Sequence, residues 1–485
     1  MIWHIAKREI LDNLTRFRFA LTMVLVMALM VMNAVIFVGS QYPRRIAEYS
    51  KDINAAAESM KERSASLGVL GVTGPGDLYK KPSPLAFIAT GADAKLPKRV
   101  TANASSGSNW TASNFHYSHS NNWWLEYAHD VFQKNDALPN FTQLDWTFII
   151  GLVMSFMAIL FTYDAISGER ETGTLSLLMS NSVSRATVLL AKFIGAFLTL
   201  MLPLLIGILL NLMIVNASKL VSLDRSEWVR FGIIVLISAL YVSLFLWLGL
   251  FISSQFSNSS SSLLVLLLIW VVFVVLIPNT MGALASGFQQ VPSRSEVSRL
   301  KEAKLDEIHE RYWKDRKLFQ FGSPSDNPPN IEALRTWAGY LTERADAKSR
   351  FDDEHLDKQF AQVGFTQQIT RLSPAAIYKY VLESLAGTGF ARHKRFVQQA
   401  RRYRKQFVDF IKLEDRADNE SYHVYLVKEG LSQKPVAFNS IPKFSEELTL
   451  DITFKGALLD LMLLVLLSLL LFMSAVLAFL RTDVK

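Results

Sequence analysis

Six long apolar segments interrupt a chain that is otherwise polar. They occupy residues 18–40, 146–163, 187–216, 229–252, 261–280 and 455–480. A helix needs about 20 mostly apolar residues to cross the hydrocarbon core of a bilayer, and these segments are apolar on all sides rather than along one stripe. No small-residue cleavage site follows the first segment, which indicates a retained anchor and not a signal peptide. The pattern predicts an all-α membrane protein with six transmembrane helices.

The N-terminal stretch, residues 1–17, has apolar positions at helical spacing. Ile2, Ile5 and Ile10 fall near one face of a helix, and the basic side chains lie elsewhere. This pattern predicts an amphipathic helix that lies in the membrane interface. The alternative is a simple charged flank of the first anchor.

Two long polar segments separate the apolar ones. Residues 41–145 begin with a helical stretch and then become rich in Ser, Gly, Asn and aromatic residues, which is typical of loops. Residues 281–454 carry heavily charged helical stretches in which Leu300, Leu305 and Ile308 recur at roughly helical spacing. We expect an extracytoplasmic insertion from the first segment and a mainly helical extracytoplasmic domain from the second.

Charge near the first span predicts the orientation. Short flanks rich in Lys and Arg stay in the cytoplasm, and such residues precede the first span: Lys7, Arg8 and Arg16. Six spans then return the C-terminus to the cytoplasm, where Arg481 follows the last span. Residues 164–186 face the cytoplasm on this interpretation. Lys219 and Arg225, in a short outer loop, run against the rule.

Composition supports a membrane protein. Of the 485 residues, 50% are hydrophobic and 19% are charged, whereas soluble domains carry roughly 25% charged residues. The formal net charge of +8 fits basic cytosolic flanks and does not indicate nucleic-acid binding. The chain has no cysteine, which excludes disulfides and thiolate metal sites.

The sequence lacks the common catalytic motifs. No GxxxxGK[ST] loop is present to cradle ATP, and HExxH, GxSxG and CxxC are also absent, so we expect no cofactor on this chain. His116 and His119 form a weak candidate metal pair, for which two polar loop residues are the simpler interpretation. Asp460 lies inside the last apolar segment and is a candidate for a substrate path, with snorkelling to headgroups as the alternative. Lys192 is expected to snorkel to the cytoplasmic surface.

Residues 164–186 are unusual for a connecting loop. They begin "DAISGERETGTLSLLMSNSVSR", in which Gly168 and Gly173 separate charged and apolar stretches. The pattern predicts two short helices joined at the glycines, with Ser167 as an N-cap and Ser184 capping the third span. The apolar "LSLLM" needs a surface to cover it: lipid, the chain's own bundle, or another protein.

This pattern resembles the first cytosolic loop of type-2 ABC transporter permeases, which include permeases of nitrous-oxide-reductase maturation and gliding-motility systems. The matching residues are Asp164, Ile166, Ser167, Glu169, Glu171, Gly173, Thr174, Leu175, Leu178, Val183, Ser184, Arg185, Leu189 and Lys192. Ser182 stands where the family commonly has proline. The six spans and the N-terminal helix also fit, and the two long insertions resemble a subfamily with large extracytoplasmic insertions.

The resemblance implies the permease subunit of an ATP-driven exporter in the bacterial inner membrane. Its partners would be two ATP-binding subunits that carry ATP and magnesium, a second permease copy or paralogue, membrane lipid and a periplasmic protein. The implied ATPase-coupling residues are Asp164, Ser167, Glu169, Arg170, Glu171, Gly173, Thr174, Leu175, Leu178 and Arg185. The charged ones would pair with charges on the ATPase, and the leucines would form an apolar anchor. The cargo is not indicated.

Two other functions fit parts of the pattern. A membrane-anchored scaffold would bind an outer partner without transport. An ion-coupled carrier would use Asp460, although transport by that route usually needs a relay of buried ionisable groups and this chain has few intramembrane charges.

Overall fold

The computed structural model describes residues 2–94, 96–104, 123–127, 143–180, 183–280, 291–315 and 330–481. His116, His119 and Ser182, considered above, lie outside the described residues. In this described part of the chain, the structure is 78% helical and six helices are long and apolar enough to cross a membrane. The predicted all-α class is confirmed.

The main helices follow one another in a simple order. They are α1 (Ile2–Thr15), α2 (Phe17–Arg63), α3 (Leu67–Thr73), α4 (residues 146–162), α5 (Ser167–Glu171), α6 (Thr174–Ser180), α7 (Arg185–Ala217), α8 (Arg225–Gln255), α9 (Ser259–Thr280), α10 (Arg294–Glu310), α11 (Ile331–Thr370), α12 (Pro374–Ala386), α13 (Phe390–Arg416) and α14 (Leu450–Arg481). The candidate membrane-spanning helices are α2, α4, α7, α8, α9 and α14. Short 3₁₀ or π turns lie at Gly91–Ala94, Arg311–Asp315 and Lys428–Gly430.

The first membrane helix is much longer than the apolar run that predicts it. α2 continues past the apolar run through a π-helical stretch at Phe37–Gln41 and ends at Arg63. The helical stretch at the start of residues 41–145 is therefore a direct continuation of the first span. The chain then forms a small antiparallel sheet in the order β1 (Leu78–Tyr79), β2 (Arg99–Ala104) and β3 (Trp123–Glu126).

The six long helices pack around one apolar core. α8 lies at its centre, with Tyr241, Phe245 and Leu250 fully or almost fully buried. Polar side chains tie α2 to α7: the Nδ2 of Asn211 donates to the carbonyl of Met30 at 2.8 Å and to the Oδ1 of its neighbour Asn33 at 2.7 Å. Such bonds satisfy groups that would be costly to leave unpaired in hydrocarbon.

The two long insertions contribute to one shared core outside the bundle. Its buried side chains come from α3, the sheet, α11 and α13: Leu67, Leu70, Val100, Leu125, Phe360, Phe396, Phe407 and Ile411. The prediction of two separate outer segments is thus refined to one mixed domain. We call the end of the bundle near this domain the domain end, and the end that carries residues 164–184 the loop end.

One helix of the second insertion enters the bundle, contrary to its prediction as part of an outer domain. α12 is buried along its whole length except at Ser384, and its apolar residues belong to the same core as the membrane helices. The ring of Tyr378 stacks on Tyr241 of α8 with 4.3 Å between ring centroids. At 13 residues, α12 is too short to cross a bilayer, so an apolar-run criterion overlooks it.

Candidate functional site

The loop-end segment folds as two short helices, α5 and α6, as the sequence predicts, but of the two glycines only Gly173 lies between them, since Gly168 lies within α5. Gly173 joins them with φ of +73°, a left-handed conformation that glycine adopts at little cost. A Cβ at this position would meet no atom within 4 Å, so the backbone angle, and not crowding, calls for glycine here.

The caps of these helices are only partly as predicted. Ser184 does cap α7, because its Oγ accepts a hydrogen bond from the backbone N–H of Thr187 at 3.2 Å. Ser167 does not cap α5. Its Oγ donates to the carbonyl of Tyr163 at 2.8 Å, and the residue is fully buried.

The start of α5 is held by Ser253, near the end of α8. The Oγ of Ser253 accepts hydrogen bonds from the backbone N–H groups of Ile166 at 3.0 Å and Ser167 at 3.1 Å. All three residues are fully buried. One hydroxyl therefore satisfies two of the four N–H groups that the beginning of a helix leaves without a partner.

Replacing Ser253 with alanine is expected to loosen α5, because two buried N–H groups lose their acceptor, at about 1–3 kcal/mol for each unsatisfied group. The thermal unfolding temperature of the purified protein in detergent should fall clearly. The matched control is Ser254→Ala. Ser254 is also buried, and its Oγ donates to the carbonyl of Phe251 in its own helix at 2.7 Å. Equal unfolding temperatures for the two variants would contradict the assigned role of Ser253.

Lys192 forms the buried centre of a three-residue ion cluster. Its Nζ lies 2.7 Å from a carboxylate oxygen of Glu9 in α1 and 2.7 Å from one of Glu169 in α5. The side chain of Lys192 is 2% exposed, so the expectation that it snorkels to the surface is wrong. The cluster fastens α1 and α5 to α7 as one unit.

Asp164 connects the same segment to α2. Its Oδ2 lies 3.0 Å from a guanidinium nitrogen of Arg18 and 3.5 Å from one of Arg16. Arg18 also donates to the carbonyl of Leu160 at 2.8 Å and to the hydroxyl of Tyr163 at 2.7 Å. Arginine suits this position because its fork of N–H donors reaches several acceptors at once.

The two remaining membrane helices are also reached from this end. A carboxylate oxygen of Glu171 accepts from the backbone N–H of Ser259 at 3.2 Å and from its Oγ at 2.9 Å, at the start of α9. A negatively charged carboxylate at the N-terminus of a helix also interacts favourably with the helix dipole. Arg185 donates to the carbonyl of Leu480 at 2.8 Å, near the end of α14.

The leucines of α6 divide between inside and outside. Leu175 is 1% exposed and packs in a cluster with Leu250 and Phe479, and Leu178 lies partly buried against that cluster. Leu175 therefore cannot form the apolar contact with an ATPase that the sequence analysis assigns to it. Leu177 is 69% exposed.

The outward side of the segment is small and mostly polar. Apart from buried Leu175, residues 172–177 are all exposed, and we call this exposed set the crest. The hydroxyls of Thr172 and Thr174 lie 3.0 Å apart, and Thr174 also donates to the carbonyl of Glu169 at 3.3 Å. Arg170 is partly buried. The crest is thus an exposed surface on a segment whose inner side is bonded to the membrane helices.

A sequence model of the family described as "ABC-2 family transporter protein" matches residues 3–484. The chain belongs to this ABC-2 transporter family. It is also similar to the "Probable ABC transporter permease protein NosY" of Stutzerimonas stutzeri, with 35% identity over 133 residues, which cover 27% of this chain and 48% of the relative. The NosY protein of Pseudomonas aeruginosa is 36% identical over 137 residues, covering 27% and 47%. The chain spans about half the length of the curated relatives it matches.

In this ABC-2 chain, Asp460 lies far from the crest and is paired. Its carboxylate makes two bonds with the guanidinium of Arg371, at 2.5 Å and 3.1 Å, and the residue is 2% exposed. It does not snorkel. Its role in a substrate path stays an untested prediction, whereas its contact with the residue after α11 is a structural finding.

Sequence reasoning missed several partners of the predicted site. The ABC-2 loop motif contains Glu169 and Lys192, but not the third member of their cluster, Glu9. Ser253 stands in a run of small polar residues that carries no local signal. Arg18 stands at the start of the first apolar segment, where the sequence shows only a charge at the membrane edge. These residues lie far from their partners along the chain: Ser253 is 86 positions from Ser167, Arg18 is 146 from Asp164, and Glu9 is 183 from Lys192.

Proposed function

We propose that this chain is the permease subunit of an ATP-driven ABC exporter, and that residues 164–186 couple it to two separate ATP-binding subunits. One observation carries the proposal. The crest is exposed, while the segment beneath it is bonded to five elements: α1 and α7 through Lys192, α2 through Asp164, α8 through Ser253 and α9 through Glu171. A surface fastened in this way can pass a displacement to the whole bundle.

Different residues of the segment then have different roles, some making contacts within the chain and others contacting the ATPase. Glu169 and Glu171 act as internal fasteners, since their carboxylates already hold Lys192 and Ser259. The ATPase contact is then made by the crest, with Leu177 as its apolar element. Coupling requires that the ATPase holds the crest differently in its two nucleotide states, because a contact of equal strength in both states shifts no equilibrium. ATP and magnesium are bound and hydrolysed on the partner subunits.

The orientation follows from the same assignment. The loop end, with α1 and both termini of the chain's described part, faces the cytoplasm of a bacterium, and the mixed domain lies outside. The basic residues that precede α2 support this choice. α1 lies in the membrane interface, and its Glu9 is linked to Glu169 through their shared ion pairs with Lys192.

A second permease copy or a paralogue completes the transporter. Apolar side chains of α9 and α14 point away from the bundle: Leu264, Leu268, Met462 and Leu466 are all more than half exposed. Lipid and a second subunit are the two surfaces that cover such side chains in a bilayer. The mixed domain meets the cargo or a periplasmic partner.

The experiment is affinity purification of the full chain from native membranes, followed by identification of bound proteins. The unaltered chain should retain an ATPase with Walker motifs. Leu177→Asp places a charge in the crest and should remove most of that ATPase, on the order of tenfold, because a central apolar contact becomes a buried unpaired charge.

Leu220→Asp is the matched control. Leu220 is 48% exposed, but it lies between α7 and α8 at the domain end, and its variant should retain the ATPase. Full retention of the ATPase by Leu177→Asp would contradict the proposal. So would normal function after the sequence "ERETG" is scrambled, which is the outcome expected of a scaffold that does not transport.

A further inference from the structure

Three membrane helices are bonded to residues 164–186 at the loop end of the bundle. α8 holds α5 through Ser253, and α9 receives Glu171 at Ser259. α14 accepts Arg185 at the carbonyl of Leu480. Each of these helices then runs towards the domain end, and along the way all three contact one short stretch of the second insertion.

That stretch is the junction between α11 and α12, residues 370–378. Arg371 at the end of α11 holds Asp460 of α14 with two charge-assisted hydrogen bonds, at 2.5 Å and 3.1 Å. The adjacent Thr370 bonds the hydroxyl of Tyr380 at 2.7 Å, and the guanidinium of Arg371 lies 5.8 Å from the centre of that ring. The hydrogen bond to Asp460 raises the pKa of Arg371. The guanidinium of Arg371 is thus held between the carboxylate of Asp460 and the ring of Tyr380.

The same junction reaches α9 and α8. The Oγ of Ser373, which caps α12, donates to the carbonyl of Phe273 in α9 at 2.5 Å. The hydroxyl of Tyr378 lies 2.8 Å from the Oγ of Ser238 in α8. All three helices that contact residues 164–186 at one end are thus also hydrogen-bonded to this junction, α8 at the middle of its length and α9 and α14 closer to the domain end.

The junction continues into a long extramembrane helix. α11 has 40 residues and, at 1.5 Å per residue, is about 60 Å long. It is braced by α10 through the ion pair of Lys301 and Asp352 at 2.8 Å, and Arg311 just beyond α10 pairs with Glu343 at 2.8 Å. A braced helix of this length amplifies a small rotation at its base.

We propose that residues 370–378 form a mechanical joint, through which movement of α8, α9 and α14 swings α11, with α10 packed against it, outside the membrane. Arg371 and Asp460 are its positioning residues. This inference rests on the proposed function, because it takes ATP-driven movement at the loop end as its source. It adds a second output to that function: mechanical work on the outer domain, besides any passage of cargo through the bundle.

The test measures the position of α11 in two nucleotide states. The chain has no cysteine, so Glu332→Cys near the start of α11 and Ser222→Cys in the α7–α8 turn accept one pair of spin labels. Both positions are exposed. Pulsed electron resonance on the complex with its ATPase, free of nucleotide and trapped with ATP and vanadate, should give different distance distributions. A rotation of 5° at the joint moves the far end of α11 by about 5 Å, given its length of about 60 Å.

Variants then test the joint itself. Arg371→Gln and Asp460→Asn should abolish the nucleotide-dependent shift while ATP hydrolysis continues. Arg350→Gln is the control, because Arg350 pairs with Glu354 on the exposed surface of the same helix and its loss should leave the shift intact. A shift that persists in both joint variants would overturn the proposal.

The unaltered labelled protein is decisive even if the variants fold poorly. A bound ATPase with identical distances in both nucleotide states would overturn the joint and leave the proposed function standing. Absence of the ATPase from the purified complex would instead overturn the proposed function, and the joint with it.

Discussion

Lys192→Met is expected to destabilise the loop end more than any other single change. The substitution keeps a long side chain between α1, α5 and α7 but leaves the carboxylates of Glu9 and Glu169 facing one another without a cation. Removing one partner of a buried ion pair costs about 3–5 kcal/mol. The two carboxylates are 25% and 27% exposed, so water solvates them in part and the lower end of that range is expected. Unfolding in mixed micelles by titration with dodecyl sulfate measures the loss.

A second variant separates charge from packing. Lys192→Met combined with Glu9→Gln and Glu169→Gln removes the repulsion together with the cation, and should recover a clear part of the lost stability. The single variant should also release α1, so that added protease cuts there sooner. An unfolding free energy for Lys192→Met equal to that of the unaltered chain would show that the ion cluster does not fasten α1 and α5.

Gly173 is expected to tolerate substitution in the order Asn, Ala, Val and Pro. Its φ of +73° costs an ordinary L-residue roughly 1–2 kcal/mol, whereas asparagine adopts this region more readily. β-Branched valine resists it, and proline is fixed near −65° and cannot adopt it. Gly173→Pro should therefore reorient α6 and the crest. The ATPase should then bind the permease less well, and its rate of ATP hydrolysis should no longer respond to the permease. Co-purified ATPase and its activity are the measurements.

The control for this series is a glycine of ordinary helical conformation. Gly364 lies within α11, and a Cβ there would meet no atom within 4 Å. Gly364→Ala should stabilise the protein by up to about 1 kcal/mol, because alanine favours a helix, while Gly173→Ala should do the opposite. Retention of full ATPase binding and activity by Gly173→Pro would contradict the role assigned to the turn.

The membrane architecture could be predicted from the sequence because each long span carries its own signal. Twenty apolar residues in a row have few alternatives to a bilayer-spanning helix. α12 has the same apolar character over only 13 residues, and nothing local shows that it enters the bundle. Its placement depends on Tyr378, Ser238 and other partners far along the chain.

The sequence predicted the two short helices of the candidate site but not the side-chain contacts that hold them. The motif around Glu169 and Gly173 indicated two short helices and a docking surface. Which side of α6 faces inward depends on helical phase, so Leu175 is buried while Leu177, two positions on, is exposed. Charges are equally ambiguous: Glu169 and Lys192 look like surface groups until the fold brings Glu9 beside them.

The most direct test of the account is the side of the membrane that the crest faces. Because the chain contains no cysteine, Leu177→Cys provides a single reactive thiol on the crest, and Leu220→Cys provides one at the domain end. A membrane-impermeant maleimide added to intact spheroplasts should label Leu220→Cys and spare Leu177→Cys, which should react only after the membrane is opened. Labelling of Leu177→Cys from outside intact spheroplasts would place the crest beyond the reach of any cytoplasmic ATPase and contradict the account.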